Sequence, residues 1–423
     1  MKRARKTTLA AREARLAFWM LAPTFLIVFA IVLFPVAANL WISVKPVTLA
    51  DLRPPRPVVR LRVLQPATIE GEQLVLRYQM RNSSQSVQVT QVALFDVLPA
   101  GLIPVDLDPR CAFVAPRLRC DLGTWQGGER QNLDLRFLAT AGFVRADARE
   151  PWGEHTAIRG RAPNVLTNLR FTLANFRTVL AGAEFLPALW VTLAYTLFGT
   201  IGSILLGLFA AQLLNAPFAG KGLLRGLFLF PYVAPVIAVA FTWAFLLDPL
   251  SGTVNALGVR FGLLGQAVAF LSQRSLEVHL LGLRVAVPLA LSTVIAFEAW
   301  RYFPFAFLFI LARFQAIPRD MYEAAQVDGA SPLQQFWFIT LPQLVGILST
   351  LFLLRFIWTF NKFDDVFLLT GGAAGTKTLT VQVYDQAFAL ADLGAGAAVA
   401  VTLFVILAAF MVVYFRYAPE GAA

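Results

Sequence analysis

Charge is scarce in this chain: Asp, Glu, Lys and Arg make up 14% of its 423 residues, while 58% are hydrophobic. With a mean hydropathy of +0.65, that balance excludes an ordinary soluble globule, in which about a quarter of residues are charged. Histidine and cysteine are nearly missing, with two of each. His155 and His279 stand far apart and Cys111 and Cys120 lie elsewhere, so no metal-ligand cluster forms in the sequence. No nucleophile and base can be paired into an active site either. A nucleotide fingerprint is also lacking. The stretch "GGAAGTKT", Gly371–Thr378, imitates a phosphate-cradling loop, but Thr376 occupies the place of the glycine required before Lys377. The chain is therefore expected to be no enzyme and to hold no metal or cofactor of its own. The net charge of +11 raises the question of nucleic acid. No basic run is interleaved with aromatics as such a surface requires, and membrane orientation accounts for the charge more simply.

What the sequence does have is long apolar runs. A helix rises about 1.5 Å per residue and the hydrocarbon layer is about 30 Å thick, so each crossing takes roughly 20 apolar residues. Six stretches qualify: Ala17–Val44, Phe185–Leu214, Leu224–Leu247, Ala286–Ala312, Leu344–Phe360 and Leu393–Phe415. The expected fold is an all-α polytopic membrane protein. Lys2, Arg3, Arg5, Lys6, Arg12 and Arg15 precede the first stretch against a lone acid, Glu13, which places the N-terminus in the cytoplasm. The first stretch could also be read as a signal peptide, but its uncharged run is nearly twice the usual length of a signal core, which favours a retained helix. Six crossings return the C-terminus to the cytoplasm and put residues 313–343 inside.

Residues 45–165 break this pattern. A Pro-rich entry, "KPVTLADLRPPRP", leads into alternating runs such as "LVLRYQM" and "NLDLRFLA", separated by "RNSSQS", "LPAGL" and "WQGGER". Alternation of this kind marks half-buried strands. An inserted β-sandwich domain outside the cytoplasm is expected, between a basic N-terminus (1–16) with its first helix (17–44) and a helical core (166–423). Cys111 and Cys120 both fall in the insert; a bond between them would stabilise it by roughly 2–3 kcal/mol and needs an oxidising compartment. The stretch Leu74–Thr140 resembles the Ig-like sandwich repeats of bacterial surface proteins, through an Asn after a strand, an Asp-x-Leu-Pro-x-Gly turn and a Cys-x-Leu-Gly-x-Trp segment before a Gly-Glu turn.

One polar stretch, "MYEAAQVDGASPLQQFWFITLPQL" (Met321–Leu344), interrupts the apolar core. Pro318 suits a first helical turn, and Asp320 and Glu323 favour its N-terminal dipole end. Gly329 supplies a turn, after which Ser331, Pro332 and Gln334 form a capping-box pattern that starts a second short helix before Leu341–Pro342 leads into the next span. Small residues near the bend permit close docking of a partner.

Glu323-Ala324-Ala325, Asp328-Gly329-Ala330, Phe336, Ile339 and Leu341-Pro342 together resemble the EAA motif of ATP-binding cassette importer permeases. The preceding "LARFQAIPRDMY" is similar to the carbohydrate-importer subgroup, and likeness to these permeases extends from about Phe171 to the end. The resemblance implies an importer-permease fold in a bacterial inner membrane and a coupling helix, within residues 313–343, that fits a cleft of the ATPase. It implies a second permease subunit, two ATPase subunits that bind ATP and Mg, an extracytoplasmic solute-binding protein, and a sugar or polyol as the solute. The inserted sandwich departs from the family's usual short connection.

A charge near the bilayer centre costs at least a few kcal/mol unless paired. Glu298 and Arg301 lie three apart, on one helical face, and Arg355 lies in the next span. Glu298, Trp300, Arg301, Tyr302, Asn361 and Asp364 are candidates to line a translocation path; the competing role is internal ion pairing that locks helices together. Pro231, Pro235 and Pro304 could kink their spans. Two other functions are compatible with the sequence: a membrane-anchored surface protein acting through its sandwich, and the same machinery carrying a polyamine or peptide.

Overall fold

The computed structural model describes residues 9–52, 55–85, 87–145, 153–280 and 283–417. The cations Lys2, Arg3, Arg5 and Lys6 lie outside them. The chain divides into two compact units: Lys45–Phe171, and a helical unit made of Met1–Val44 with Thr172–Ala423.

The smaller unit is built from eight strands: β1 (Pro57–Gln65), β2 (Gln73–Asn82), β3 (Val89–Val97), β4 (Leu102–Asp106), β5 (Cys111–Val114), β6 (Arg117–Trp125), β7 (Arg130–Ala139) and β8 (Ala157–Arg161). They form two four-stranded sheets, β1-β2-β7-β4 and β5-β6-β3-β8, antiparallel throughout. Alternation drives the arrangement. On β2, Leu74, Leu76, Tyr78 and Met80 are buried while Arg77, Gln79 and Arg81 face outward. Leu133, Leu135 and Phe137 of β7 meet Leu94, Leu118, Leu122 and Trp125 of the other sheet in one core. Each such side chain contributes about 1.5–3 kcal/mol on burial.

Turn chemistry holds the strands in register. The Asn82 amide donates to Val87 O (2.8 Å) and Gln126 O (3.0 Å), joining the two turns that end β2 and β6. Gly128 takes φ +75° in the β6–β7 turn, a conformation costly for other residues. Cys111 and Cys120 are direct partners on β5 and β6, with their sulfurs 2.08 Å apart. Buried Asp96 accepts from Tyr78 Oη (2.7 Å) and Thr156 Oγ1 (2.8 Å). Residues 166–171 go with this unit: the Lys45 ammonium donates to the Arg170 carbonyl at 3.0 Å and also reaches Asn168.

The helical unit contains α1 (Leu16–Ser43), α2 (Phe185–Asn215), α3 (Lys221–Val233), α4 (Val236–Leu246), α5 (Leu289–Gln315), α6 (Arg319–Val327), α7 (Pro332–Phe360), α8 (Asp364–Thr370) and α9 (Leu393–Tyr417). Five of these are long and apolar enough to cross a membrane, and α3 with α4 makes up a sixth, bent element. The span expected over Leu224–Leu247 is sharply broken at one of the prolines expected to kink it: α3 and α4 meet at 93°. Pro235 supplies the reason, because its ring fixes φ and its missing N–H cannot continue the ladder; Ala234 accordingly turns to ψ 144°. Pro304, by contrast, sits inside an unbroken α5.

A hairpin of β9 (Leu276–Leu280) and β10 (Leu283–Val287) precedes α5, so the helix begins at Leu289 rather than at Ala286. The short helix expected after Gly329 does not end before the next span. It runs on as the 29-residue α7, with a π-helical turn at Phe336–Thr340. That wider turn lies directly ahead of Pro342, whose ring would otherwise press on the preceding turn.

Close approach of α2 and α5 organises the centre. A Cβ on Gly207 would stand 2.7 Å from the Ala306 Cβ, and one on Gly199 would stand 2.8 Å from the Glu298 Cγ. Small residues at such crossings let backbones pack without the hydrophobic driving force that lipid removes.

Candidate functional site

Two places in the helical unit combine polar groups with geometry that can act. The first is a buried cluster around Glu298. Glu298 Oε1 accepts from the Arg355 guanidinium and from Thr359 Oγ1 at 2.8 Å, while Oε2 accepts from Tyr195 Oη at 3.1 Å. Arg355 lies 4.2 Å from the Tyr302 ring centroid and the Lys362 ammonium lies 4.1 Å from the same centroid on the aromatic face. Lys362 is in turn 3.8 Å from both Asp364 and Asp365. Asp365 is fully buried, and neither of its oxygens has a hydrogen-bond partner among the described residues.

Spacing puts Glu298 and Arg301 on one helical face; their side chains take different partners. Arg301 donates to the carbonyls of Pro231 (3.2 Å) and Ala234 (3.0 Å), which the proline break strips of their helical partners. It therefore caps the end of α3. Trp300 is half-buried against Trp243 at 5.4 Å between centroids. Asn361 is exposed, its amide donating to Ile357 O at 2.8 Å, and Asp364 keeps 44% of its side chain exposed. Sequence reasoning missed Tyr195, Thr359, Lys362 and Asp365. Only the last two carried a signal, as a Lys-Phe-Asp-Asp run at the end of an apolar stretch.

The second place is the α6–turn–α7 segment. Ala330 N donates to Ala325 O (2.8 Å) and Gly329 N to Gln326 O (3.0 Å), the paired bonds of a Schellman stop, with Gly329 at φ +80°. Ser331 N donates to Gln334 Oε1 at 2.7 Å while Gln334 N reaches Ser331 Oγ, so the capping box is formed. Glu323, Ala324, Asp328 and Gly329 are exposed and Ala325, Ala330 and Phe336 half-buried. Two apolar side chains at the bend stand bare, Val327 at 89% and Leu333 at 68% exposure. The segment is fastened to its neighbours: Arg313, in the last turn of α5, donates to Gln343 O at 3.1 Å, and Tyr322 Oη lies 2.9 Å from Thr340 Oγ1.

Long apolar helices, one of them broken at a guanidinium-capped bend, and a rigid polar hairpin between two of them define a multi-pass membrane permease. The chain belongs to the family of binding-protein-dependent transport system inner membrane components, whose model matches residues 203–419. It is similar to the inner membrane ABC transporter permease protein YcjO of Escherichia coli (strain K12), 37% identical over 236 residues, 56% of this chain and 75% of the relative. It is also similar to the trehalose/maltose transport system permease protein MalF of Thermococcus litoralis, 33% identical over 245 residues, 58% of this chain and 78% of the relative. A solved bacterial alginate ABC transporter, in complex with its alginate pentasaccharide-bound periplasmic protein, shares the fold at a TM-score of 0.51 and 22% identity, over 59% of this chain and 84% of that one. The protein is thus a transport subunit of a binding-protein-dependent importer, set in the inner membrane.

Proposed function

We propose that this permease imports a sugar or polyol by alternating access, driven by a partner ATPase that docks on the α6–α7 bend. The bare Val327 and Leu333 carry the reading. Apolar side chains this exposed at a rigid turn call for a partner surface, and the bonds from Arg313 and Tyr322 would pass a push at the bend into α5 and α7. Glu323, Ala324, Ala325, Asp328, Gly329, Ala330 and Phe336 form the docking segment on this reading. ATP and Mg are held by the two ATPase subunits, a second permease subunit completes the pathway, and a solute-binding protein delivers the cargo. The named cargoes of relatives support the solute class: trehalose/maltose, and sn-glycerol-3-phosphate for a permease of Agrobacterium fabrum that is 32% identical. Both termini face the cytoplasm and the sandwich faces outward, where Cys111 and Cys120 can stay oxidised.

Within the path, Glu298 acts as a keystone, because its oxygens are already taken by Arg355, Thr359 and Tyr195. Tyr302, buried with Arg355 and Lys362 against its ring, joins Glu298 in that role, and solute contact falls to Trp300, Asn361 and Asp364. The test is copurification in mild detergent. Val327→Asp should leave the chain in the membrane while the ATPase subunits no longer accompany it and uptake stops. ATPase recovery and uptake equal to the unaltered chain would refute the docking assignment.

A further inference from the structure

The outer face of sheet β1-β2-β7-β4 carries a charge pattern to which the proposed function gives no role. The register sets Val58 beside Arg81 and Arg81 beside Arg130; the next outward row is Arg60, Gln79 and Asn132, and the one after is Arg62, Arg77 and Asp134. Arg136 follows on β7. Six arginines therefore share one face. Among the described residues two carboxylates stand with them: Asp134, bound to Arg77 at 2.6 Å, and Asp106, beside Arg136 at the β4 edge. Arg60, Arg81 and Arg130 are exposed, and among the described residues none has an ion-pair partner. They surround a shallow basin of about 520 Å³ whose polar lining is completed by Gln79 and Asn132.

We propose that this basin binds an acidic oligosaccharide, with Arg60, Arg81 and Arg130 on its carboxylates and Gln79 and Asn132 on its hydroxyls. Three observations select that ligand. In residues 45–171 arginine outnumbers lysine sixteen to one. The planar guanidinium fork matches carboxylate geometry in a way a lysine point charge does not. The amides share a row with Arg60 and lie one outward row, about 7 Å along the strand, from Arg81 and Arg130, and an amide both donates to and accepts from a hydroxyl. Among the described residues, no aromatic side chain stands on this face. Stacking of nucleic-acid bases therefore has no platform, a lipid surface finds no aromatic anchor, and a neutral sugar finds no ring to lie against. Charge and amide groups are what remain, and together they read an acid that also carries hydroxyls. The proposal concerns the insert alone and stands whatever solute the helical unit passes.

The experiment uses the full chain in nanodiscs of zwitterionic lipid, titrated with tetragalacturonate and, separately, with neutral maltotetraose. Saturable binding of tetragalacturonate that weakens as salt rises, with no binding of maltotetraose at the same concentrations, is expected. Combining Arg60→Gln, Arg81→Gln and Arg130→Gln should weaken binding about tenfold or more, with no change in melting because all three side chains are exposed. Arg81→Lys keeps the charge and should still weaken it severalfold. The pair Arg119→Gln and Arg159→Gln, which flank Phe95 on the other sheet, should leave it unchanged. Equal binding of the neutral oligomer would overturn the proposal, as would indifference to the triple variant. Capture by phosphatidylglycerol vesicles without tetragalacturonate binding would overturn it in favour of a lipid surface.

Discussion

Glu298 illustrates what a single buried carboxylate demands of its surroundings. Removing either member of its pair with Arg355 leaves an uncompensated charge in a low-dielectric interior, at a cost of about 3–5 kcal/mol. Glu298→Ala should therefore lower the thermal aggregation temperature of the detergent-solubilised chain by several degrees. Glu298→Leu combined with Arg355→Met should recover most of the loss, since a matched apolar pair needs no compensation. A single variant that melts with the unaltered chain would show that Arg355 finds another partner. In the sandwich, Asp96→Ala leaves the buried Tyr78 hydroxyl without its acceptor, at about 1–3 kcal/mol, seen as faster proteolysis of residues 57–139. Acid should act through Asp108. The Arg110 guanidinium beside it holds its carboxyl down to about 2, below the ordinary value of roughly 3.9. A depressed carboxyl stabilises the fold fully above about pH 4, and the contribution fades as pH falls toward 2. Pepsin cleavage of the insert should rise across that window and rise less in Asp108→Asn, which lacks this stabilisation at every pH and is cleaved faster from the start.

At the level of elements, the bend between α3 and α4 depends on Arg301 as much as on proline. Arg301→Leu would leave the Pro231 and Ala234 carbonyls bare in an apolar setting, and the bend should loosen. Cysteines placed singly from Leu229 to Val236 would report this as a changed labelling pattern; an unaltered pattern would leave proline as the sole cause. This element also shows the reach of the sequence. The hydropathy of Leu224–Leu247 revealed an apolar run of spanning length, and Pro231 and Pro235 were visible in it. The guanidinium that satisfies the break comes from a position about 70 residues later, and no local pattern carries that. The capping box at Ser331 and Gln334 was legible because both partners lie within one turn. The Glu298 cluster was half legible: Glu298 and Arg355 stood out as charges in apolar runs, whereas Tyr195 and Thr359 are unremarkable until α2 and α7 are brought together by packing. The β strands were readable from alternation, but the pairing of β2 with β7, across more than 50 residues, was not.

For the molecule as a whole, the insert has its own sources of cohesion. The Cys111–Cys120 link closes a loop of about ten residues, and replacing both by Ser should cost roughly 3 kcal/mol in the insert. Non-reducing thiol labelling of native membranes should find both cysteines blocked, and free labelling of both would contradict the external placement. The helical unit is expected to stay untouched by that change, so uptake should persist at temperatures where the insert of the variant has melted.

The hydrogen bond from Thr172 N to Val44 O, 2.9 Å long, and that from the Asn175 amide to Ser43 O, 2.8 Å, mean that the helical unit closes on itself where the insert departs and returns. The 127 residues between Val44 and Thr172 are in this sense a detour with a common door. A chain that stepped from Val44 to Thr172 through a short glycine bridge would need to rearrange no helix. Such a shortened chain should enter the membrane and recover its ATPase subunits as the whole one does, because the detour is an addition to a path already complete without it.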